Sequence, residues 1–88
     1  MHNDSFKVLK MLSHKTRLDI IKLIKSNDGN LCYNDIVDQL KIPTMTINFH
    51  IKKLEECKII FTKKAGPKFL LFINDKAIVQ AKEDFNKI

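Results

Sequence analysis

Leu31-Cys-Tyr-Asn-Asp-Ile-Val-Asp-Gln-Leu40 is an amphipathic segment. A three-residue break, Lys41-Ile-Pro43, joins it to a second amphipathic segment, Thr44-Met-Thr-Ile-Asn-Phe-His-Ile-Lys-Lys-Leu54. In the second segment, Ile47, Ile51 and Leu54 recur at helical spacing and define a buried stripe. Pro43 biases the residue before it away from helical geometry, which separates the two segments. A bracing helix, a short break and a second helix with a polar face are typical of a helix-turn-helix, whose second helix lies in the major groove of DNA.

The outer face of the second segment has side chains suited to DNA contact. We predict that Thr44, Thr46, Asn48 and Phe49 contact bases and that Lys52 and Lys53 contact phosphates. Met45 is also predicted to be a DNA-binding residue. Phe49 leaves two interpretations open, because an exposed aromatic ring can pack on a thymine methyl group or cover a gap in the protein's own surface.

The net charge of +6 is concentrated on this segment and the residues after it. Residues 1–40 have a net charge of +1, residues 41–68 have +5, and residues 69–88 are neutral overall. A lysine run is often only a solvated surface, but here it coincides with a helix-turn-helix pattern. The coincidence favours a surface that binds the phosphates of double-stranded DNA.

The length and composition indicate one small globular domain over residues 1–88. Hydrophobic residues make up 44% of the chain and charged residues 30%, which argues against disorder. Because no apolar run of about 18 residues and no secretory leader occurs, we expect a cytoplasmic protein with no membrane partner. Cys32 and Cys57 are too few for a disulfide scaffold and are expected to be free thiols.

Five helices are expected along the chain. They cover about 4–12, 14–26, 33–40 and 44–58, and a last helix runs from Asn74 or Asp75 to the C-terminus. Thr44 is the predicted N-cap of the second helix-turn-helix helix, while Cys32 and Asn34 are alternative caps of the first.

A basic β-hairpin is predicted directly after the helix-turn-helix. Strands at 59–64 and 69–73 enclose a turn at 65–68. Lys63, Lys64 and Lys68 lie at or near its tip, where we expect them to contact phosphates or the minor groove. A hairpin in this position is the wing of a winged helix-turn-helix, so the predicted fold class is mainly α, with about five helices and one hairpin.

The last helix has apolar residues spaced three, four and three positions apart, which is typical of a coiled-coil seam. They are Ile78, Ala81, Phe85 and Ile88, and the first helix adds Phe6 and Leu9. Part of this apolar surface is expected to fold onto its own domain. Since the core is small, the rest favours self-association, and these six residues are the predicted interface of a homodimer.

Two segments of the sequence resemble those of a known protein family. They are Leu9-Lys-Met-Leu-Ser-His-Lys-Thr-Arg-Leu-Asp-Ile-Ile21 and Ile47-Asn-Phe-His-Ile-Lys-Lys-Leu54. They are similar to the LKALSDPTRLRIL and VSHHLKKL segments of the ArsR/SmtB family of bacterial winged helix-turn-helix repressors. With the predicted wing and last helix, the resemblance covers nearly the whole chain. It implies a homodimer, paired through its first and last helices, that binds a palindromic operator and represses transcription.

Many members of that family release DNA when a metal ion binds, but the metal-binding motifs are altered in this sequence. The family's Cys-Val-Cys on the third helix reads Cys32-Tyr33-Asn34, and its Asp-x-His on the last helix reads Asp75-Lys76-Ala77. Zinc and thiophilic metalloids need three or four sulfur or imidazole ligands, whereas His2 with Cys32 would supply two. We therefore expect no metal and no other cofactor.

No set of catalytic residues competes with DNA binding. The sequence has no Gly-rich phosphate loop and no Cys-x-x-Cys, and its Ser, His and Asp residues form no triad on the predicted helices, so we expect no enzyme. Two alternatives stay open. One is an antirepressor-like protein-interaction module, which apolar Met45 and Phe49 would favour, and the other is a regulator that responds to a small molecule or, through Cys32 or Cys57, to an oxidant.

His50 and Arg17 are the remaining residues with more than one interpretation. His50 stands beside the apolar stripe and is expected to be packed and hydrogen-bonded. Arg17 is compatible with a DNA contact, with an ion pair to Asp19 and with a helix-capping role.

Overall fold

A computed structural model describes residues 3–27 and 29–88 of the chain. Within this part, the elements are α1 Asn3–Leu12, α2 Lys15–Asn27, α3 Tyr33–Leu40, α4 Thr44–Glu56, β1 Ile60–Ala65, β2 Lys68–Ile73 and α5 Asp75–Asn86. This arrangement confirms the predicted winged helix-turn-helix, in which α3 and α4 form the helix-turn-helix and the hairpin of β1 and β2 forms the wing. His2, considered above as a metal ligand, lies outside the described residues.

The core consists of aliphatic side chains drawn from all five helices and the wing. Its fully buried members include Ile20, Ile24, Ile36, Ile47, Ile51, Leu54, Ile59, Ile60 and Leu71. The predicted stripe of α4 is therefore confirmed. Because Ile47, Ile51 and Leu54 fix one side of α4 against the core, the opposite side of this helix must face solvent.

The ends of the helix-turn-helix helices differ in part from the sequence expectation. Pro43, not Thr44, is the N-cap of α4, since its extended backbone (φ −54°, ψ 144°) precedes the first turn and its carbonyl accepts from the Ile47 amide. The helix ends at Glu56 rather than Lys58, because Lys58 adopts a left-handed φ of +59° and its amide turns back to the Glu55 carbonyl.

Cys32 is the N-cap of α3, which resolves the choice between Cys32 and Asn34. The Cys32 amide donates to Asp35 Oδ2 over 3.0 Å, and the Cys32 thiol donates to the same oxygen over 3.2 Å. An acidic residue three positions after the cap can reach back in this way, which satisfies an amide that the helix leaves free.

The wing is a two-stranded antiparallel hairpin with a tighter turn than predicted. Ala65 pairs with Lys68, so the turn consists of Gly66 and Pro67 alone. Gly66 supplies the positive φ, +63°, that a two-residue hairpin turn requires. The Leu71 amide donates to the Leu31 carbonyl over 2.9 Å, which ties the wing to the chain leading into α3.

The terminal helices α1 and α5 pack against each other, and this changes the predicted dimer interface. Ile78 and Ala81 are buried in the core of the same chain, so they are not available as exposed interface residues. The reason is that α5 turns one side onto α1, where Ser5 donates a hydrogen bond to the buried carboxylate of Asp84. Phe6, Phe85 and Ile88 remain exposed, and Leu9 is partly buried.

Among residues 3–27 and 29–88, no helix is long and apolar enough to cross a membrane.

Candidate nucleic-acid interface

The outer side of α4 carries all seven residues that the sequence predicts there. Thr44, Met45, Thr46, Asn48, Phe49 and Lys52 are exposed, and Lys53 is partly exposed. Met45 is 86% exposed and Phe49 is 53% exposed, which are large values for apolar side chains. The residues are thus accessible to a ligand as large as a DNA duplex.

The polar side chains of α4 form one row along the helix. Thr44, Asn48, Lys52 and Glu55 succeed one another at intervals of four, four and three residues, which places them on one face. Together with Tyr33 and Asn34 of α3 they line an open groove of about 520 Å³. The groove therefore brings three predicted DNA-binding residues next to the first turn of α3.

Tyr33 and Glu55 are hydrogen-bonded to each other in the lining of this groove. The Tyr33 hydroxyl donates to Glu55 Oε1 over 2.9 Å. Burial, followed by the hydrogen bond and the charge of Glu55, raises the pKa of Tyr33 to about 12, so the phenol stays protonated as the donor. The bond joins the first turn of α3 to the last turn of α4. Sequence reasoning missed this pair, since no local pattern connects residues so far apart.

The apolar and basic side chains of α4 form a second row, made of Met45, Phe49 and Lys53. The Lys53 ammonium lies 5.7 Å from the centre of the Phe49 ring, and it also lies 3.9 Å from Glu56 Oε2. The Phe49 ring meets the His50 ring edge-on at 5.5 Å. Phe49 thus covers His50 with one side and leaves about half of its surface free for a partner.

His50 links α4 to α2, as the sequence led us to expect of a packed histidine. It is 6% exposed, and its Nδ1 accepts a hydrogen bond of 3.2 Å from Arg17 Nε. Its ring lies 4.6 Å from the ring of His14. Burial, with the nearby charges of His14 and Arg17, lowers the pKa of His50 and favours the neutral ring that can accept this bond. Arg17 also donates to Met11 Sδ, and it is Lys15 that pairs with Asp19.

The wing presents its three predicted lysines to solvent. Lys63, Lys64 and Lys68 are all exposed. Lys68 also acts on α3: the pKa of Asp35 is lowered by the backbone and thiol hydrogen bonds from Cys32, and further by the charge of Lys68. Lys68 is therefore close enough to the first turn of α3 for its charge to act on Asp35.

The two cysteines lie at opposite ends of the helix-turn-helix, Cys32 at the start of α3 and Cys57 at the end of α4. The Cys32 thiol belongs to the cap of α3, while Cys57 lies at the end of α4 and lines a groove of about 540 Å³ with residues of α1 and α5. Cys57 therefore faces the terminal helices. Both thiols are free and partly buried.

The residues that stand in place of the resembled family's metal-binding motifs include Tyr33, Asn34, Lys76 and Ala77. The Tyr33 hydroxyl is engaged with Glu55, Asn34 offers only an amide, and Lys76 and Ala77 follow Asp75 where a histidine would be needed. In the described ranges, no three His, Cys, Asp or Glu residues lie close enough to hold a metal ion.

Comparison with known proteins assigns the chain to a family. A family model for winged helix-turn-helix DNA-binding domains matches residues 13–60. The arsenical resistance operon repressor of Staphylococcus xylosus is 31% identical over 67 residues, which cover 76% of this chain and 62% of the repressor. The chain belongs to the ArsR/SmtB family. As a member of this family of winged helix-turn-helix proteins, it is a DNA-binding transcriptional regulator.

Another curated protein and a solved structure are also similar to this ArsR/SmtB protein. An uncharacterized HTH-type transcriptional regulator of Methanocaldococcus jannaschii is 34% identical over 70 residues, 78% of each chain. The fold is similar to that of an ArsR-like transcriptional regulator from Rhodococcus sp. RHA1, with a TM-score of 0.81 at 16% identity over 96% of this chain and 77% of that one.

Proposed function

We propose that this protein is a homodimeric transcriptional repressor that binds a palindromic operator without a metal effector. The observation that carries the proposal is the groove between α3 and α4, where Thr44, Asn48 and Lys52 line up beside the first turn of α3. A polar row on the second helix of a helix-turn-helix is what base reading in the major groove requires. Staphylococcal relatives that are named as operon repressors support repression as the outcome.

The DNA contacts divide into base-reading and phosphate-binding groups in this proposal. Thr44, Met45, Thr46, Asn48 and Phe49 read base edges, and Lys52, Lys53, Lys63, Lys64 and Lys68 bind phosphates or enter the minor groove. The net charge of +6 supports the second assignment. The repressor acts in the cytoplasm as a single domain over residues 1–88.

Dimerisation in this proposal uses the apolar surface that the terminal helices leave uncovered. Phe6, Phe85 and Ile88 are exposed, and Val79 on α5 is also half exposed. A small domain rarely exposes so many large apolar side chains on two neighbouring helices without a partner. A two-fold pair would bury each of these contacts twice and would set two α4 helices on one face of the duplex.

A protein-interaction module of the antirepressor type is a second candidate, favoured by the exposure of Met45 and Phe49. Such a module would use the same face of α4 to bind another protein, and its lysines would remain solvated. The two candidates make different predictions for sequence-specific DNA binding, which the repressor requires and the interaction module does not.

Selection of bound duplexes from a random pool tests the proposal. The repressor is expected to enrich an inverted repeat whose half-sites lie about one helical turn apart, or a multiple of it. Loss of enrichment in an Asn48→Ala variant that keeps its fold would assign base reading to α4. A pool that stays random under low salt would contradict DNA reading and favour the interaction module.

A further inference from the structure

The tip of the wing carries an exposed aromatic ring among lysines. Phe69 is the second residue of β2, directly after Lys68, and it pairs across the hairpin with Lys64. Its side chain is 50% exposed. The predicted set of DNA-binding residues contains the three wing lysines but not this phenylalanine.

The position of Phe69 follows from the alternation of side chains along the strands. Successive residues of a strand point to opposite faces, so Phe69 shares a face with Leu71, which is fully buried in the core. Between these two positions this face of β2 changes from core to solvent. On this face of β2, Phe69 is therefore the large apolar side chain that the core does not cover.

Phe61 provides an internal comparison. It is also 50% exposed, but it lies on the opposite face of the hairpin, near the base of the wing, and it pairs with half-buried Phe72. The two exposed phenylalanines thus differ in location and in neighbours: Phe61 faces another aromatic residue, whereas Phe69 faces Lys64 and follows Lys68.

The surroundings of Phe69 match the chemistry of a DNA backbone. Lys64 lies across the hairpin from Phe69 on the same face, and Lys68 precedes Phe69 on the opposite face, so both faces of the wing tip carry positive charge that complements phosphates. The turn of Gly66 and Pro67 is narrow, and no atom lies within 4 Å of the position that a Cβ on Gly66 would occupy, so the tip is unobstructed. Proteins that bind the minor groove often insert apolar side chains between base pairs.

We propose that Phe69 enters the minor groove as an apolar wedge that partly unstacks one base step beside each half-site, while Lys64 and Lys68 bind the flanking phosphates. This inference rests on the proposed function, because it requires that the wing contacts DNA. It adds a specificity determinant: a pyrimidine–purine step, which unstacks most readily, is preferred at that position although no polar group reads its bases.

The experiment uses the duplex that the wild-type protein selects, with 2-aminopurine replacing each adenine outside the half-sites in turn. Binding of the wild type should raise the fluorescence at one step per half-site, since an unstacked 2-aminopurine is brighter. Phe69→Ala should abolish this increase and weaken binding about tenfold, and Phe69→Leu should retain most of both, because leucine also acts as a wedge. The salt dependence of binding should stay unchanged, because both lysines remain.

Phe61→Ala is the matched control, with equal initial exposure and the same truncation, and it should leave affinity and fluorescence unchanged. Thermal melting of both variants checks that the hairpin is intact. The wedge is contradicted if Phe69→Ala binds the selected duplex within about twofold of the wild type, if no step brightens, or if Phe61→Ala causes the same loss. A wild-type protein that selects no sequence would instead contradict the proposed function, and that result is obtained before any variant is made.

Discussion

Tyr33 and Glu55 hold the two helices of the helix-turn-helix together through one hydrogen bond of 2.9 Å. The donor lies in the first turn of α3 and the acceptor in the last turn of α4, so the bond spans the groove between them. The angle between a bracing helix and a recognition helix decides how the second helix enters the major groove. We therefore expect this pair to affect DNA binding although neither residue is among the predicted contacts.

Removal of the Tyr33 hydroxyl should destabilise the fold. In Tyr33→Phe, the Glu55 carboxylate loses a donor in a partly buried place, and we expect the free energy of unfolding to fall by about 1–2 kcal/mol. Denaturant unfolding measures this loss. The double-mutant cycle with Glu55→Ala, which removes the acceptor, is the control, since a coupling energy near zero would mean that the bond does not link α3 to α4.

Asn48→Ala should separate specific from non-specific binding. Loss of an amide that pairs with a base edge should weaken binding to the selected duplex by about 1–3 kcal/mol and leave binding to random DNA nearly unchanged. Gln39→Ala, at an exposed position of α3 outside the groove, is the control and should change neither. An equal loss of affinity for both duplexes would remove Asn48 from the base-reading residues.

Phe85→Asp should produce monomers. The Phe85 ring is exposed on α5, so the aspartate costs little within the protomer but introduces a charge into the proposed interface. Asn86→Asp, with the same charge change on the neighbouring exposed residue, should stay dimeric. Sedimentation at micromolar concentration measures both, and a monomeric wild type would contradict the dimer. Ala81→Asp should instead unfold the chain, because Ala81 is fully buried.

The His50 bond should make stability depend on pH. The folded protein keeps the pKa of His50 below its ordinary value of 6.5, so the unfolded chain binds more protons as the pH falls. The contribution of His50 to the free energy of unfolding is therefore fully present above about pH 6.5, and it is lost progressively as the pH falls toward the lowered pKa. Urea unfolding between about pH 8 and pH 5 measures it, and His50→Gln should show a smaller decline. Equal declines in both proteins would assign the pH dependence to other groups.

Binding should weaken steeply with salt. If about four of the five proposed lysines contact phosphates in each subunit, a dimer makes about eight such contacts, and the slope of log affinity against log salt should be near −7. A variant with alanine at Lys63, Lys64 and Lys68 should have a clearly smaller slope. A wild-type slope shallower than about −2 would mean that the basic surface does not meet DNA.

Local patterns predicted the elements of this fold but not the contacts between them. The stripe of Ile47, Ile51 and Leu54 repeats within one helix, so its burial and the outward side of α4 follow from the sequence alone. The bond between Ser5 and Asp84 joins residues 79 positions apart. No periodicity reports such a pairing, because it depends on how α1 and α5 pack.

The same limit explains the revised dimer surface. The spacing of Ile78, Ala81, Phe85 and Ile88 indicates an apolar side of α5, yet periodicity does not say which partner covers it. In the structure the first two are in the core of the chain and the last two are exposed. In the wing, the charge pattern indicates Lys64 and Lys68, but the exposure of Phe69 depends on how far the core extends along β2.

The affinity for an intact inverted repeat, compared with a duplex in which one half-site is scrambled, tests the central claim most directly. If two subunits bind as a pair and each α4 reads one half-site, the intact duplex should bind two subunits in a single transition. Scrambling should reduce the affinity by about 100-fold or more, because several mismatched base pairs cost about 1–3 kcal/mol each. Equal affinity for the two duplexes, with one subunit bound to each, would contradict a dimeric repressor that reads a palindrome.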